Sequence, residues 1–279
     1  MYSARRAAYR SLHESGCFVI PNPWDAGSAL YLRHLGFKAL ATTSAGCAFS
    51  LGLPDAAVSR DAMLTNIAAI VAAVDLPVNA DFESGYARDP EGVATNVRLC
   101  VDTGVAGLSI EDASGDPASP LFDLDLATAR VRAARAAIDA SNSGVVFTAR
   151  AECFLVGHPD PLKESLRRLT AYAEAGADVL YAPGVHARED IKTLVSALAA
   201  KPINVLMSRD TGLTVSDLAE LGVRRISVGS SLSRAAWTAF MRAAALIAKE
   251  GSFAGFNDLV LYAEINGFFR DATSPAPRS

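Results

Sequence analysis

Eight short apolar runs recur along the 279-residue chain, separated by stretches with helical character. The runs are nearly continuous in apolar character, which is typical of strands covered on both faces, as in a parallel sheet. Eight strand–helix units within about 230 residues favour the α/β class, as a (β/α)8 TIM barrel. The runs begin at Phe18, Ala39, Pro77, Gly107, Val145, Val179, Ile203 and Arg225.

The helix boundaries support this division. Asp89 and Asp160 each precede a proline, the arrangement of a capping side chain before a first-turn proline. Gly104, Gly176 and Gly222 are predicted to terminate helices. A doubly wound open sheet is the alternative, but the G-x-G-x-x-G fingerprint is absent after the first strand. The predicted helices cover residues 61–74, 91–103, 125–140, 161–175, 187–199 and 215–221.

We predict a single barrel domain over residues 1–279. An N-terminal helix occupies residues 1–16, the barrel residues 17–250, and a C-terminal extension residues 251–279. The extension is predicted to be helical from Phe256 to Phe269 and to end in a frayed tail. Its apolar side chains exceed what a solvated tail needs, which predicts contact with another subunit.

Composition excludes several classes of function. With 26 basic and 30 acidic residues, the chain has no general attraction for nucleic acid or anionic membranes. No apolar run approaches the roughly 20 residues that span a bilayer, and residues 1–16 lack a signal-peptide core. The four cysteines are not in C-x-x-C spacing, so buried free thiols are expected, with a catalytic thiol as the alternative. A cytoplasmic protein is predicted.

Five carboxylates follow adjacent strands, at the end of the barrel where chemistry is expected. Arg150 is the one cation among them. A divalent metal would neutralise such a group, and all-oxygen ligands favour Mg²⁺ or Mn²⁺ over zinc. The alternative is a ring of ion pairs with Arg150 that orders the barrel rim. The carboxylates belong to Asp81, Glu83, Glu111, Asp112 and Glu152.

Three further features bear on the chemistry. Because residues i and i+2 of a strand point the same way, Asp81 and Glu83 are expected to face one point. Residues 43–46 are predicted to form a small-residue turn whose N–H groups cradle an anionic oxygen. Residues 113–123 form a long loop rich in Gly, Pro and Ser, either a lid or an ordinary surface loop.

The histidines and the remaining motifs limit the reaction type. His13 and His34 are predicted to be structural, whereas His158 and His186 lie in loops where they could assist proton transfer. No Ser-His-Asp or Cys-His order is present, so acyl transfer has no support. Triphosphate chemistry has none either, because there is no P-loop.

Six motifs in this order resemble one family, the isocitrate lyase/phosphoenolpyruvate mutase superfamily, over essentially the whole chain. The nearest branch is similar to oxaloacetate decarboxylase and carboxyphosphonoenolpyruvate phosphonomutase. The motifs are Asn22-Pro23-Trp24-Asp25, Thr43-Ser44-Ala45-Gly46, Gly52-Leu53-Pro54-Asp55, Asp81-Phe82-Glu83-Ser84-Gly85-Tyr86, Ser109-Ile110-Glu111-Asp112 and Ala149-Arg150-Ala151-Glu152.

The resemblance implies a Mg²⁺-dependent enzyme, with Mn²⁺ as a substitute, that acts on small 2-keto or 2-hydroxy acids through a pyruvate-like enolate. By position Asp81 would bind the metal and face the substrate, while Glu83 and Glu111 would hold the metal's water shell. The resemblance also implies a homodimer or homotetramer whose terminal helices are exchanged between subunits.

The remaining roles follow from the same resemblance. Ser44 and the backbone of Ala45 and Gly46 would hold the substrate carboxylate, and Asn204 is a further predicted substrate-binding residue. The predicted catalytic residues are Arg150, which would pair with that carboxylate or the enolate oxygen, Asp55, which would approach the group being cleaved, and Glu111.

The loop after Glu111 departs from the family pattern. Isocitrate and methylisocitrate lyases carry a Lys-Lys/Arg-Cys-Gly-His stretch there, and this chain has neither Cys nor His in that loop. The mutase's lid asparagine is not evident. We therefore predict a C–C lyase similar to oxaloacetate decarboxylase. The alternatives are P–C chemistry on phosphonopyruvate or phosphoenolpyruvate, and a barrel that binds keto acids without turnover.

Overall fold

The computed structural model describes residues 2–273, in which eight parallel strands form a nearly closed barrel surrounded by helices. Neighbouring strands pair in the order β1-β8-β7-β6-β5-β4-β3-β2. The predicted (β/α)8 fold is therefore confirmed. The strands are β1 (Phe18–Ile20), β2 (Leu40–Ala41), β3 (Val78–Asp81), β4 (Gly107–Glu111), β5 (Val146–Arg150), β6 (Val179–Tyr181), β7 (Ile203–Leu206) and β8 (Arg225–Ser227).

The seam between β1 and β2 is closed mainly by one side chain. A single backbone bond crosses the seam here, from Ala41 N to Pro21 O at 3.0 Å. Beside it the buried Asn22 amide donates to Thr42 O at 2.9 Å. Its Oδ1 accepts from the Val228 and Gly229 amides, each at 2.9 Å. Asn22 thus ties the ends of β1, β2 and β8 together, which gives its motif a structural role.

The helices agree closely with the sequence pattern. Asp89 Oδ1 caps its helix by accepting from Gly92 N at 2.8 Å, and Gly104 follows that helix with φ +91°. A left-handed φ of this kind favours glycine. The helices are α1 (Tyr2–Leu12), α2 (Ala26–His34), α3 (Ser44–Ser50), α4 (Arg60–Ala73), α5 (Pro90–Asp102), α6 (Leu124–Ala140), α7 (Pro161–Glu174), α8 (Arg188–Ala197), α9 (Val215–Glu220), α10 (Ser231–Glu250) and α11 (Tyr262–Thr273).

Three expectations about local structure are wrong. Helix α1 ends at Leu12, not at residue 16. Residues 43–46 are not a turn, because Thr43 caps α3 and Ser44 begins it. The extension is not one helix from Phe256 but a 3₁₀ turn and then α11, since Asn257 and Asp258 between them have low helix propensity. Residue 1 and the predicted tail, residues 274–279, lie outside the described residues.

The layer between strands and helices is apolar, whereas the inside of the barrel combines a small apolar cluster with several polar side chains. Ile67, Leu108 and Phe147 are fully buried in the apolar layer. Barrels of this type are usually filled by branched apolar side chains. Here five of the buried residues on the strands are polar or charged and lie in one connected network: Asn79, Thr148, Asn204, Arg225 and Ser227.

The C-terminal helices leave much apolar surface exposed. Of the 20 residues of α10 only Ser233 is buried, while the side chains of Phe240 and Met241 are 61% and 62% exposed. Among residues 2–273 no helix is long and apolar enough to cross a membrane. The cysteines there are unpaired, and all but the half-buried Cys17 are buried.

His13 should make the protein sensitive to acid. Its ring lies between Tyr9 and Phe18, donates through Nδ1 to Tyr9 O at 2.8 Å, and leaves Nε2 buried without a partner. Burial, helped by the Arg225 charge, lowers the pKa of His13 to about 3. Below about pH 6.5 the unfolded chain therefore binds a proton that the folded chain refuses, and stability falls by about 1.4 kcal/mol per pH unit.

The change that tests this is His13→Phe, which keeps the ring and removes the proton site. Urea unfolding between pH 7 and 4 should show a shallower loss of stability in this variant than in the parent chain. His186→Gln, at an exposed histidine, is the control and should keep the parent slope. Equal slopes for His13→Phe and the parent chain would mean that His13 is protonated in the folded state.

Candidate active site

Arg150 is the centre of the carboxylate cluster. It ends β5, and the β4–β5 register places it opposite Glu111. Its guanidinium contacts Asp81 Oδ1 at 2.8 Å, Glu111 Oε2 at 3.0 Å and Glu152 Oε1 at 2.9 Å. The side chains are largely buried, so these ion pairs are weakly screened. The ring of ion pairs considered as an alternative is present in the structure.

One cation does not balance this set. Burial raises the pKa of both Glu111 and Glu152, although Arg150 opposes the rise. Burial alone would lower the pKa of Arg150, yet Glu111, Glu152 and Asp81 hold it well above its ordinary value. The cluster therefore contains more acidic groups than its one arginine can neutralise.

Asp81 is held from two sides. It ends β3, and its Oδ2 accepts from Ser44 N at 3.0 Å and from Ser44 Oγ at 2.9 Å. A carboxylate has about four lone-pair sites, and three are used once Arg150 is counted, so one remains on Oδ1. The Gly46 amide is also engaged, because it donates to Thr43 Oγ1 at 3.2 Å. Two of the three groups predicted to hold a substrate carboxylate thus already have protein partners.

Glu83 is not on the strand. Strand β3 ends at Asp81, and Glu83 follows in a turn with φ +46°. The expectation that Asp81 and Glu83 share one strand face is therefore wrong. Tyr86, also left-handed at φ +55°, donates its hydroxyl to Glu83 Oε1 at 2.9 Å. Such conformations cost about 1–3 kcal/mol each in residues other than glycine and cluster at functional sites.

The turn nevertheless keeps Glu83 in the carboxylate cluster. Glu83 O accepts from Glu111 N at 3.0 Å, which fixes the turn to the end of β4. Burial, helped by the Asp81 charge, raises the pKa of Glu83 to about 7. Among residues 2–273 no Lys or Arg forms an ion pair with Glu83, so its carboxyl adds a further acidic group to the cluster.

The donor set suits a divalent cation that keeps most of its water. The donors are all oxygens, the acids outnumber Arg150, and Asp81 retains one free lone-pair site. Among the described residues no three Asp, Glu, His or Cys side chains converge as direct ligands. Mg²⁺ commonly binds through one or two carboxylates and retains several waters, so Asp81 as the direct ligand with Glu83 and Glu111 beyond it would fit.

A polar cavity of about 170 Å³ opens beside this cluster. Glu83, Glu111 and Gly46 do not line it, and neither do His158 and His186. Glu111 instead lies behind the cavity, against Arg150. The predicted site residues that do line the cavity are Ser44, Ala45, Asp55, Asp81, Arg150 and Asn204.

Asp55 lies on an exposed segment at the cavity. Partial burial of its carboxyl raises the pKa of Asp55, and the nearby Asp81 charge adds to the rise. Its Oδ1 accepts from Ala56 N at 3.0 Å, and Ala56 is left-handed at φ +62°. The segment thus brings a carboxyl of raised pKa to a cavity that holds Arg150.

Several lining residues were missed from the sequence. Tyr181 ends β6, and the Arg150 guanidinium lies 5.2 Å from the centre of its ring. Asn79, Ser109 and Arg225 lie deeper. The signal that would have found Asn79 and Ser109 is their position two residues before the strand-end acids Asp81 and Glu111, since alternate strand residues face the same side.

Asp112 faces away from the cavity. Its Oδ1 accepts from Glu152 N at 2.8 Å, and its Oδ2 accepts from Arg168 Nη1 at 3.0 Å and from the Tyr172 hydroxyl at 2.6 Å. Asp112 is therefore a support that fixes Glu152, one of the three partners of Arg150.

The predicted lid is a short hairpin, closed by the Ser114 N to Pro120 O bond at 2.9 Å. At its base Phe122 lies 4.2 Å below the Arg130 guanidinium. The buried Arg130 donates to the carbonyls of Ser84, Ala87 and Arg88. Arg130 thus contacts both the base of the lid and the turn that contains Glu83.

The sequence and the fold of this chain are similar to those of known proteins. The sequence model of the phosphoenolpyruvate phosphomutase family matches residues 9–248. The crystal structure of a putative lyase/mutase from Burkholderia cenocepacia is 46% identical, with a TM-score of 0.93 and coverage of 96% of this chain and 97% of that one.

Two curated proteins extend the comparison. An uncharacterized protein of Mycobacterium tuberculosis is 34% identical over 224 residues, which are 80% of this chain and 82% of that protein. An oxaloacetate decarboxylase of Pseudomonas putida is 28% identical over 240 residues, which are 80% of this chain and 78% of that protein.

Proposed function

The chain belongs to the isocitrate lyase/phosphoenolpyruvate mutase superfamily, and on that premise we propose that it is a divalent-metal-dependent lyase. The bond it breaks is a C–C bond of a small 2-keto or 2-hydroxy diacid, through a pyruvate-like enolate. The observation that carries the proposal is the 2.8 Å contact of Arg150 with Asp81 at a small polar cavity. The family predicted from six motifs is confirmed, whereas the substrate class stays a proposal.

The chain's own residues would stabilise the enolate by preorganised charge. Arg150 is locked by three carboxylates, so it needs no reorganisation as negative charge grows on the substrate oxygen. A divalent cation held at Asp81 would supply further stabilisation of the same developing charge. Ser44 and Ala45 line the cavity, and since Ser44 is bonded to Asp81, the Ala45 amide would be the donor for a substrate carboxylate.

Decarboxylation suits the lid better than cleavage of a hydroxy acid. Loss of CO₂ from a 3-carboxyl group needs no base, because the departing carboxylate supplies the electron pair that becomes the enolate. Cleavage of a 2-hydroxy acid needs a group that removes the hydroxyl proton, and residues 113–123 contain neither Cys nor His. Asp55, whose pKa is raised, lies where it could return a proton to the enolate carbon.

The exposed apolar face of α10 supports the oligomer implied by the resemblance. Trp237, Phe240 and Met241 lie on this helix and are all exposed. We expect a second copy of the chain to cover them in a homodimer or homotetramer. Analytical ultracentrifugation at micromolar protein would show a dimer or larger, and a monomer would contradict the expectation.

A substrate panel with Mg²⁺ tests the proposal. Oxaloacetate should release pyruvate faster than in a matched solution of Mg²⁺ without protein. Phosphonopyruvate and phosphoenolpyruvate, followed by phosphorus NMR, should remain unchanged. Turnover of either phosphorus compound would instead establish P–C chemistry. Binding of oxalate, an enolate mimic, without turnover of any acid would indicate a barrel that only binds.

A further inference from the structure

Arg225 is a buried cation in the middle of the barrel. It begins β8, is 3% exposed, and donates to three neutral acceptors. These are Asn204 Oδ1 at 2.8 Å, the Tyr9 hydroxyl at 2.9 Å and Thr148 Oγ1 at 3.0 Å. Within residues 2–273 no carboxylate forms an ion pair with it. Three of its five N–H donors are thus used, and its charge has no counterion.

The other arginines buried around the barrel have carboxylate or carbonyl partners. Arg150 has three carboxylates, and Arg168 contacts Asp112 at 3.0 Å and Glu164 at 2.7 Å. Arg130 donates to three carbonyls, lies over the Phe122 ring and does not line the cavity. An uncompensated buried charge is costly. The buried position of Arg225 therefore suggests that a bound anion neutralises its charge.

The cavity connects Arg225 with the carboxylate cluster. Arg225, Asn79 and Asn204 line the same 170 Å³ space as Arg150 and Asp81. Arg225 bonds Thr148, which lies two residues before Arg150 on β5. At about 3.3 Å per strand residue, the Arg225 guanidinium lies roughly one side-chain layer, about 6.6 Å, below the level of Arg150. That separation is comparable to the length of a short diacid.

We propose that Arg225 forms an anion subsite at the floor of the cavity and takes a carboxylate group. The source of that group is either the second carboxylate of a substrate diacid or a separate small carboxylate. The proposal depends on the proposed function only in assuming that the other end of the ligand binds near Asp81. In the first case Arg225 selects diacids over monoacids of the same length.

Two ligands of equal length separate these cases. Succinate and butyrate differ in one carboxylate, and each is titrated calorimetrically into the protein with Mg²⁺ present. We expect succinate to bind at least about tenfold more tightly than butyrate, and Arg225→Met to abolish this difference while oxalate affinity changes by less than about twofold. If the anion is separate, acetate should raise the melting temperature of the oxalate-saturated parent chain and not that of Arg225→Met.

Tyr9→Phe is the matched control, because it removes one acceptor of Arg225 and keeps the charge. It should keep the preference for succinate, and Arg225→Lys should keep part of it. The proposal is overturned if Arg225→Met binds succinate, butyrate and oxalate as the parent does and acetate stabilises both chains equally. Failure of the proposed function would look different, since oxaloacetate would be stable while Arg225 still distinguished succinate from butyrate.

Discussion

Replacing Asp81 by asparagine is expected to lower kcat/KM for keto-acid release by at least about 10³-fold, roughly 4 kcal/mol of transition-state stabilisation. The change removes the one carboxylate that contacts both Arg150 and Ser44 and has a lone-pair site left for a cation. An asparagine in that place would also turn its NH₂ group, a donor, towards either the Arg150 guanidinium or the Ser44 amide, which are donors themselves. The measurement is pyruvate release from oxaloacetate at saturating Mg²⁺.

Asp102→Asn is the control, because Asp102 is exposed on α5 away from the cavity. It should retain the parent rate. Circular dichroism should show that Asp81→Asn still folds, since Arg150 keeps two carboxylate partners. A rate within about threefold of the parent would remove Asp81 from the chemistry, because that corresponds to less than about 1 kcal/mol.

The second large effect is on stability. Arg150→Met is expected to destabilise the fold by about 3 kcal/mol, because Asp81, Glu111 and Glu152 would then face one another without a cation. Arg150→Lys should lose less, because lysine keeps the charge but cannot reproduce a three-way fork of N–H donors. Urea unfolding at pH 7 in metal-free buffer with a chelator measures both.

Lowering the pH should restore part of the stability that the Arg150→Met variant loses. Burial already raises the pKa of Glu111 and Glu152, and loss of the guanidinium would raise the pKa of both further. A carboxyl whose pKa is higher in the folded chain stabilises that chain as pH falls, so the deficit should shrink between pH 7 and 5. Arg98→Met, at an exposed arginine on α5, should change stability little at either pH. A deficit that does not depend on pH would contradict the electrostatic explanation.

The sequence predicted the eight strands and most helix boundaries because both follow from local patterns. A run such as Phe18–Ile20 is apolar throughout, and Asp89-Pro90 is a capping signal that acts within one turn. The strand-end position of Asp81, Glu111 and Arg150 followed from the same division into units.

The features of the site that the sequence did not predict depend on contacts between segments that are far apart in the chain. The break of β3 after Asp81, with Glu83 left-handed, depends on the bonds of that turn to Tyr86 and Glu111. The engagement of Ser44 with Asp81 joins residues 37 positions apart. The strand that contains Arg225 has no unusual sequence signal, and only the closed barrel places Arg225 at the polar cavity.

The central claim is that a cation held at Asp81 and the Arg150 guanidinium together bind an enolate. Calorimetric titration of oxalate tests it most directly, with Mg²⁺ and then with chelator, on the parent chain and on Asp81→Asn. We predict that the parent binds oxalate at least about 100-fold more tightly with Mg²⁺ than without it, and that Asp81→Asn shows no such gain. Equal oxalate affinity with Mg²⁺ and with chelator in the parent chain would contradict the claim.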